Sequence, residues 1–338
     1  MNKLLFALFT LLLFSCSKAE TKAVLAAPSF LTISATVYND SSGNAQFEVN
    51  ATNATNYELD FGDGVFKSTT ENKLLYKYSK SGKYQVTVLA KNNAGFVSKT
   101  INITVTIKLV PYWSDEFGYT GLPDASKWGY DIGTGDNGWG NAEQQYYTNR
   151  SDNAFVSNGT LKIITKAEVF GGKSYTSARL LTKDKFAFQY GKVEVRAKLP
   201  IGIGTWPAIW MLGSNIGSVG WPACGEIDIM EHRGIELNKI FHTLHYPGHS
   251  GSNGTGGTFI IPFVTSEFHV YAIEWNASSI QFFVDGASQY TFPNNSNIPF
   301  NHDFFIILNT AIGGYFGGTI DPAFTTSTME IDYVRVYK

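Results

Sequence analysis

The chain has 338 residues, enough for two domains with sizeable cores. Its formal net charge of −2 and the lack of any basic run exclude the electrostatic footprint of a nucleic-acid binder. Charged residues make up only 16% while Phe, Trp and Tyr reach 15%, a ring content suited either to stacking on sugar rings or to aromatic-rich β-structure alone.

In chain order, Met1-Asn2-Lys3 is positive and Leu4 to Phe14 is apolar, with Ser15 and Cys16 following. The apolar stretch is too short to span a membrane and reads as a cleaved export signal over residues 1–15. Leu13-Phe14-Ser15-Cys16 resembles a bacterial lipobox, which implies acylation of Cys16 and a membrane-anchored lipoprotein at the outer membrane or cell surface. An ordinary signal peptide with an incidental cysteine is the plainer alternative. Residues 16–27 are small and polar, as a tether should be. With Cys16 used for processing, Cys224 has no intrachain partner, so stability must come from core size.

From residue 28 the pattern alternates polar and apolar in short runs: Ala45 to Ala51, Tyr57 to Phe61, Tyr84 to Ala90 and Lys99 to Ile107 read as strands. Asp60 and Asp63 flank a tight turn and are expected to cap it rather than hold a metal. Tyr57-Glu-Leu-Asp-Phe-Gly-Asp-Gly64, Tyr76-Lys-Tyr78 and Ser81-Gly-Lys-Tyr-Gln-Val-Thr-Val88 resemble a polycystic-kidney-disease (PKD) repeat. That resemblance implies a small immunoglobulin-like sandwich over 28–107, of a kind that often serves as a spacer.

All seven tryptophans lie beyond residue 110. Thr160 to Thr165, Gly191 to Lys198, Glu226 to Glu231, Val270 to Trp275, Ile280 to Val284, Phe304 to Asn309 and Met329 to Tyr337 read as strands, and no long amphipathic helix emerges. The fold class is therefore all-β: a small sandwich followed, over 111–338, by a larger jelly-roll sandwich with a concave cleft.

Trp221-Pro-Ala-Cys-Gly-Glu-Ile-Asp-Ile-Met-Glu-His232 carries the chemistry. In a strand Glu226 and Asp228 share one face and Ile227 and Ile229 the other, which leaves Glu231 out of phase. A bulge near Ile229-Met230 would return it to the polar face and spare a buried unpaired carboxylate. The two Glu Cα atoms would then stand about 13 Å apart, and their long side chains could bring the carboxyls to the roughly 5–5.5 Å of a retaining glycosidase. On that geometry Glu226 attacks, Glu231 serves as acid and then base, and Asp228 holds Glu226 and helps keep Glu231 protonated. A solvated acidic strand without chemistry is the rival reading.

The Glu-Ile-Asp-Ile-Met-Glu string resembles the active-site signature of glycoside hydrolase family sixteen, in the version with the extra residue. Ser114-Asp-Glu-Phe117, Gly138-Trp-Gly-Asn141, Gln145-Tyr-Tyr-Thr148, Thr205-Trp-Pro-Ala-Ile-Trp-Met211 and Ile331-Asp-Tyr-Val-Arg-Val-Tyr337 extend the likeness across 111–338. It implies the same three roles, and within the family the motifs resemble laminarinases, which cleave β-1,3-glucan. Mixed-linkage glucan or a galactan as substrate, or an inactive glucan-binding lipoprotein, are the alternatives.

Trp206 and Trp221 are the expected stacking platforms, while Trp210, flanked by Ile209 and Met211, is open between cleft and core. Arg179 and Asn141 are candidates to bind glucose hydroxyls, Arg179 against the alternative of a solvated charge. His245 resembles a cleft residue of the family, against a plain strand histidine. His232, His242 and His249 fit no zinc spacing, and family chemistry needs no metal or other cofactor. Cys224 reads as a small buried residue. The resemblance further implies a structural calcium ion away from the cleft, held by Glu116, the Gly159 carbonyl and Asp332. The expected partners are a β-glucan and, through the anchor, a membrane; the expected state is a monomer.

Overall fold

The computed structural model describes residues 25–338. Cys16 and the export signal lie outside them. The described chain divides into two units at Leu109/Val110.

In the first unit, β1 (Ser29–Val37), β2 (Asn44–Thr52) and β5 (Lys73–Lys77) form one sheet. β3 (Asn56–Asp60), β4 (Phe66–Thr69), β6 (Gly82–Asn92) and β7 (Gly95–Val105) form the other. Alternating residues Phe47, Val49, Leu59, Val86 and Val88 fill its core, with Phe61 stacked on Tyr76 at 3.7 Å between ring centroids. Asp60 accepts from the Gly62 amide, and Asp63 from the Val65 amide and the Tyr76 hydroxyl. These carboxylates cap the turn, as their sequence context requires.

The second unit is a two-sheet jelly roll. The ten-stranded sheet contains β8 (Trp113–Asp115), β10 (Gln145–Tyr147), β11 (Ala154–Ser157), β12 (Thr160–Phe170), β13 (Lys173–Ser177), β15 (Gly191–Lys198), β20 (His269–Trp275), β21 (Ser279–Val284), β22 (Ala287–Pro293) and β24 (Thr326–Tyr337). The seven-stranded sheet runs in the order β19 (Thr255–Ile260), β18 (Lys239–His245), β17 (Glu226–His232), β16 (Thr205–Gly213), β23 (Phe304–Ile312), β14 (Arg179–Leu181), β9 (Gly129–Asp131). One core joins them: Val193, Val195, Ile273 and Val334 from the first sheet meet Ile209, Met211, Ile227, Ile229, Leu244 and Leu308 from the second. Period-two alternation then forces Trp206, Trp210, Glu226, Asp228, Thr243, His245 and Asn309 onto the opposite face of the seven-stranded sheet. The α-helices of the described residues are two single turns, Ile216–Val219 and Gly314–Gly317.

Early and late segments of this unit are tied by Asp115. Strand β8 pairs with β24, and the buried Asp115 carboxylate accepts from the Trp128 indole (2.9 Å), the Tyr119 hydroxyl (3.2 Å) and the Phe117 amide (3.2 Å). Lys127 supplies the countercharge at 3.5 Å. Asp115→Ala would strand these donors in the interior, so a loss of about 2–4 kcal/mol is expected. Urea unfolding followed by tryptophan fluorescence measures it in this unit alone, because every tryptophan lies there.

Candidate active site

Strand β17 carries the site, and its ladders show how. Against β16 the register passes from Ile209↔Met230 to Trp210↔Asp228, and against β18 from Asp228↔Thr243 to Glu231↔Phe241. One extra residue is therefore accommodated at Ile229-Met230, the position where the sequence pattern requires a bulge. Ile227, Ile229 and Met230 are all fully buried, and Glu231 returns to the face shared by Glu226 and Asp228.

Each glutamate is gripped by a tryptophan. The Trp221 indole donates to Glu226 Oε2 at 3.0 Å, and the Trp206 indole to Glu231 Oε1 at 2.9 Å. Thr243 Oγ1 adds a longer contact to Glu231 Oε2 at 3.4 Å. His245 Nε2 lies 3.4 Å from Asp228 Oδ2 and 3.7 Å from Glu226 Oε1. Gly254 leaves the room this imidazole needs, since a Cβ there would come within 2.7 Å of His245 Cε1. Trp221 is half exposed and free to present its ring to a ligand, while Trp206 is partly covered by Phe316.

Trp210 shares the cleft face with Trp206 and is half-buried; its indole donates to Asn309 Oδ1 at 2.7 Å. Arg179 is sandwiched between the rings of Trp139 and Trp210, 4.7 and 4.8 Å from their centroids, and pairs with Asp131 at 2.9 Å. It is thus a fixed charge in the cleft floor rather than a solvated one. Asn141 reaches Glu143 Oε1 at 3.4 Å.

Sequence reasoning missed Glu143. This carboxylate is buried and accepts from Gln145 Nε2 (2.5 Å) and Tyr147 OH (3.1 Å); Asn309 Nδ2 in turn donates to Tyr147. The run Asn141-Ala-Glu-Gln-Gln145 contained the signal, an acidic residue among amides and tyrosines, but its link to Asn309 runs through Tyr147, 162 positions before Asn309.

Electrostatics follow from crowding. Burial, with Asp228 alongside, pushes the Glu226 carboxyl up to about 8, while His245 and Arg179 pull it down. Burial and the Glu231 charge hold Asp228 well above the usual carboxylate range. Burial likewise raises Glu231 against the opposing hydrogen bond from Trp206. Three neighbouring carboxyls in a poorly solvated site cannot all ionise, so the cluster keeps protons near neutrality.

Among the described residues, the only group of three His, Cys, Asp or Glu side chains close enough to share an ion is Glu226, Asp228 and His245, within the cleft itself. Of the expected calcium ligands, Glu116 is held bidentately by Arg335 at 2.7 and 2.9 Å, and Asp332 by Arg196 at 2.6 Å. Gly159 sits in the turn between β11 and β12 at φ 73°. Both carboxylates are already neutralised, so calcium there would have to displace two arginines; as arranged, the side chains do not fit the ion. His232 is buried beside the backbone of Glu236 and Leu237, and His249 meets Thr255. Cys224 is buried, which pushes its thiol up to about 11.

Comparison with known proteins bears on both units. Residues 30–105 match the PKD domain, and residues 141–335 match glycosyl hydrolases family 16. A beta-glucanase of Rhodothermus marinus is 46% identical over 242 residues, covering 67% of this chain and 84% of that protein. Glucan endo-1,3-beta-glucosidase A1 of Niallia circulans is 40% identical over 255 residues, covering 67% of this chain but only 37% of that longer protein. The X-ray structure of the laminarinase from Rhodothermus marinus superposes with a TM-score of 0.65 at 45% identity, covering 68% of this chain and 98% of that one.

The raised Glu226 carboxyl has a measurable consequence. The unfolded chain releases this proton near 4.5, but the folded chain keeps it to about 8, so the folded state loses stability as pH rises through that window. Glu226→Gln removes the effect. Its thermal midpoint is expected to match wild type below pH 4.5 and to lie above it from there toward pH 8, with the gap widening as pH rises through that window. Calorimetry across the pH series checks both sign and window.

Proposed function

The chain belongs to glycosyl hydrolases family 16, and on that premise we propose that its second unit cuts internal β-1,3 bonds of a glucan with retention at the anomeric carbon. The observation that carries the reading is the bulge at Ile229-Met230, which brings Glu226 and Glu231 onto one face, each held by a tryptophan indole. The substrate assignment is supported by the beta-glucanase and laminarinase likeness.

In the first step an oxygen of ionised Glu226 bonds to the anomeric carbon. The glycosidic C–O bond breaks, and Glu231 gives its proton to the departing sugar oxygen. In the second step Glu231, now ionised, takes a proton from water, whose oxygen attacks the same carbon and expels Glu226. Two inversions give net retention.

The electrostatics divide the labour. Burial favours the protonated Glu231 that the first step needs. Glu226 must instead be ionised, and His245 and Arg179 are the groups that favour this. Asp228, between the two, keeps a proton more readily than an ordinary aspartate and so spares Glu226 a second adjacent charge. Trp221 and Trp206 offer stacking faces beside the reacting carboxyls, and Arg179 with Asn141 offers hydrogen bonds to sugar hydroxyls. Export and a lipid anchor at Cys16 belong to the same proposal and are supported by the sequence of residues 1–16 alone.

Glu226→Gln and Glu231→Gln should each fold and lose at least about 10³-fold in β-1,3-glucan hydrolysis. NMR of the earliest wild-type products should show the β-anomer; an initial α-anomer would overturn retention. A reducing-sugar panel that includes mixed-linkage glucan and galactans tests the linkage, with fastest release expected from β-1,3-glucan.

A further inference from the structure

Within Glu226–His232, Ile229 is the one residue with no register partner on either neighbouring strand. It is fully buried, so its carbonyl cannot turn to water and needs a donor from the protein. The side chain of His242, on β18, supplies one: Nδ1 lies 2.7 Å from Ile229 O. The ring is held from two sides by Phe259 and Phe282, at 5.2 and 5.0 Å between centroids. Burial pulls its pKa down to about 4, which leaves a neutral imidazole with one proton. Facing a carbonyl, that proton is on Nδ1. Nε2 has no partner, so the core carries a bare polar atom that Phe or Leu would not bring. The bond to Ile229 offsets that cost.

We propose that His242 is a positioning residue for catalysis: by holding the Ile229 carbonyl it locks the bulge that points Glu231 into the cleft. Glu231 is only two residues further along, and its carboxyl must meet the Trp206 indole at 2.9 Å. Without the donor, β17 gains by shifting its extra residue so that a ladder partner is restored to Ile229. Any such shift changes the parity or tilt of Glu231 while Glu226 and Asp228, which keep partners on both sides, stay in place. His242 touches neither substrate nor a reacting atom; it acts through the backbone. The inference rests on Glu231 being the acid/base.

Two substitutions separate positioning from packing. His242→Phe keeps a flat ring and removes the donor; His242→Asn keeps an N–H close to the Nδ1 position and loses the ring. Packing alone ranks Phe above Asn in both melting temperature and activity. Positioning reverses the activity order while leaving the melting order unchanged. His242→Phe is expected to lower kcat on β-1,3-glucan about 30-fold with KM within about threefold, and His242→Asn to restore most of it. A dinitrophenyl β-1,3-gluco-oligosaccharide, whose leaving group needs no proton, should show kcat/KM within about threefold of wild type for His242→Phe. His242→Met, also donor-free, serves if the Phe variant does not fold.

Wild-type kcat in the donor-free variant, or activity that follows melting temperature, overturns the proposal. Glu231→Gln runs alongside. If it too spares the aryl substrate, the acid/base reading stands and the His242 result is decisive. If it loses both substrates equally, the acid/base role fails, and the proposal falls with it.

Discussion

A β-strand turns its side chains to opposite faces with a period of two, yet Glu226 and Glu231, five positions apart, stand on one face. The extra residue at Ile229-Met230 reconciles these demands, and the rest of the cleft is arranged around it. It sends Ile229 and Met230 both into the core, where they pack among Ile227 and Leu244. It also sets which residues of β16 stand beside which carboxyl: Leu212 opposite Glu226, Trp210 opposite Asp228 and Ala208 opposite Glu231. Alanine at 208 leaves room on the cleft face for Trp206, one step further along that face, to reach across to Glu231.

The choice of indole as the hydrogen-bond partner of both glutamates has a chemical logic. An indole N–H donates and cannot accept, so it orients a carboxylate oxygen without offering a second place for the proton. A serine or histidine in the same place could exchange roles with the glutamate during proton transfer. The pair also brings two flat apolar surfaces beside the carboxyls, so the side chains that orient Glu226 and Glu231 also line the cleft with aromatic rings.

Much of this was legible in the chain. The parity conflict in Glu226-Ile-Asp-Ile-Met-Glu231 demanded a bulge, and the turn carboxylates Asp60 and Asp63 declared themselves by their glycines. Local pattern could not decide Trp210, because flanking Ile209 and Met211 fit a core tryptophan as well as a cleft one. The pairing of β16 with β23, nearly a hundred residues away, resolves it by setting Asn309 under the indole. Arg179 was ambiguous for the same reason: its partners Asp131, Trp139 and Trp210 come from three separate segments. His242 carried no signal at all, since a histidine earns a structural role here only once the neighbouring strand has a carbonyl to spare. What short-range periodicity reveals is which face a residue occupies; what it withholds is which distant residue meets it there.

Charge balance is the last constraint on the cleft. Glu226, Asp228, Glu231 and Glu143 all stand on or under its floor, and Glu143 is raised by burial like the others. Arg179 is the permanent cation among them, and it is shared with Asp131. Clamping that guanidinium between Trp139 and Trp210 fixes its distance from both Glu143 and Glu226, whose carboxyls it stabilises in the ionised form. One fixed positive charge among four poorly solvated carboxyls means that most of them must retain protons near neutrality. The proposed retaining cycle needs only one ionised nucleophile and one protonated acid at its start. A shortage of cations therefore favours the resting state which that proposal requires, whereas a second arginine in the floor would stabilise Glu231 as its carboxylate and leave it without the proton an acid must give.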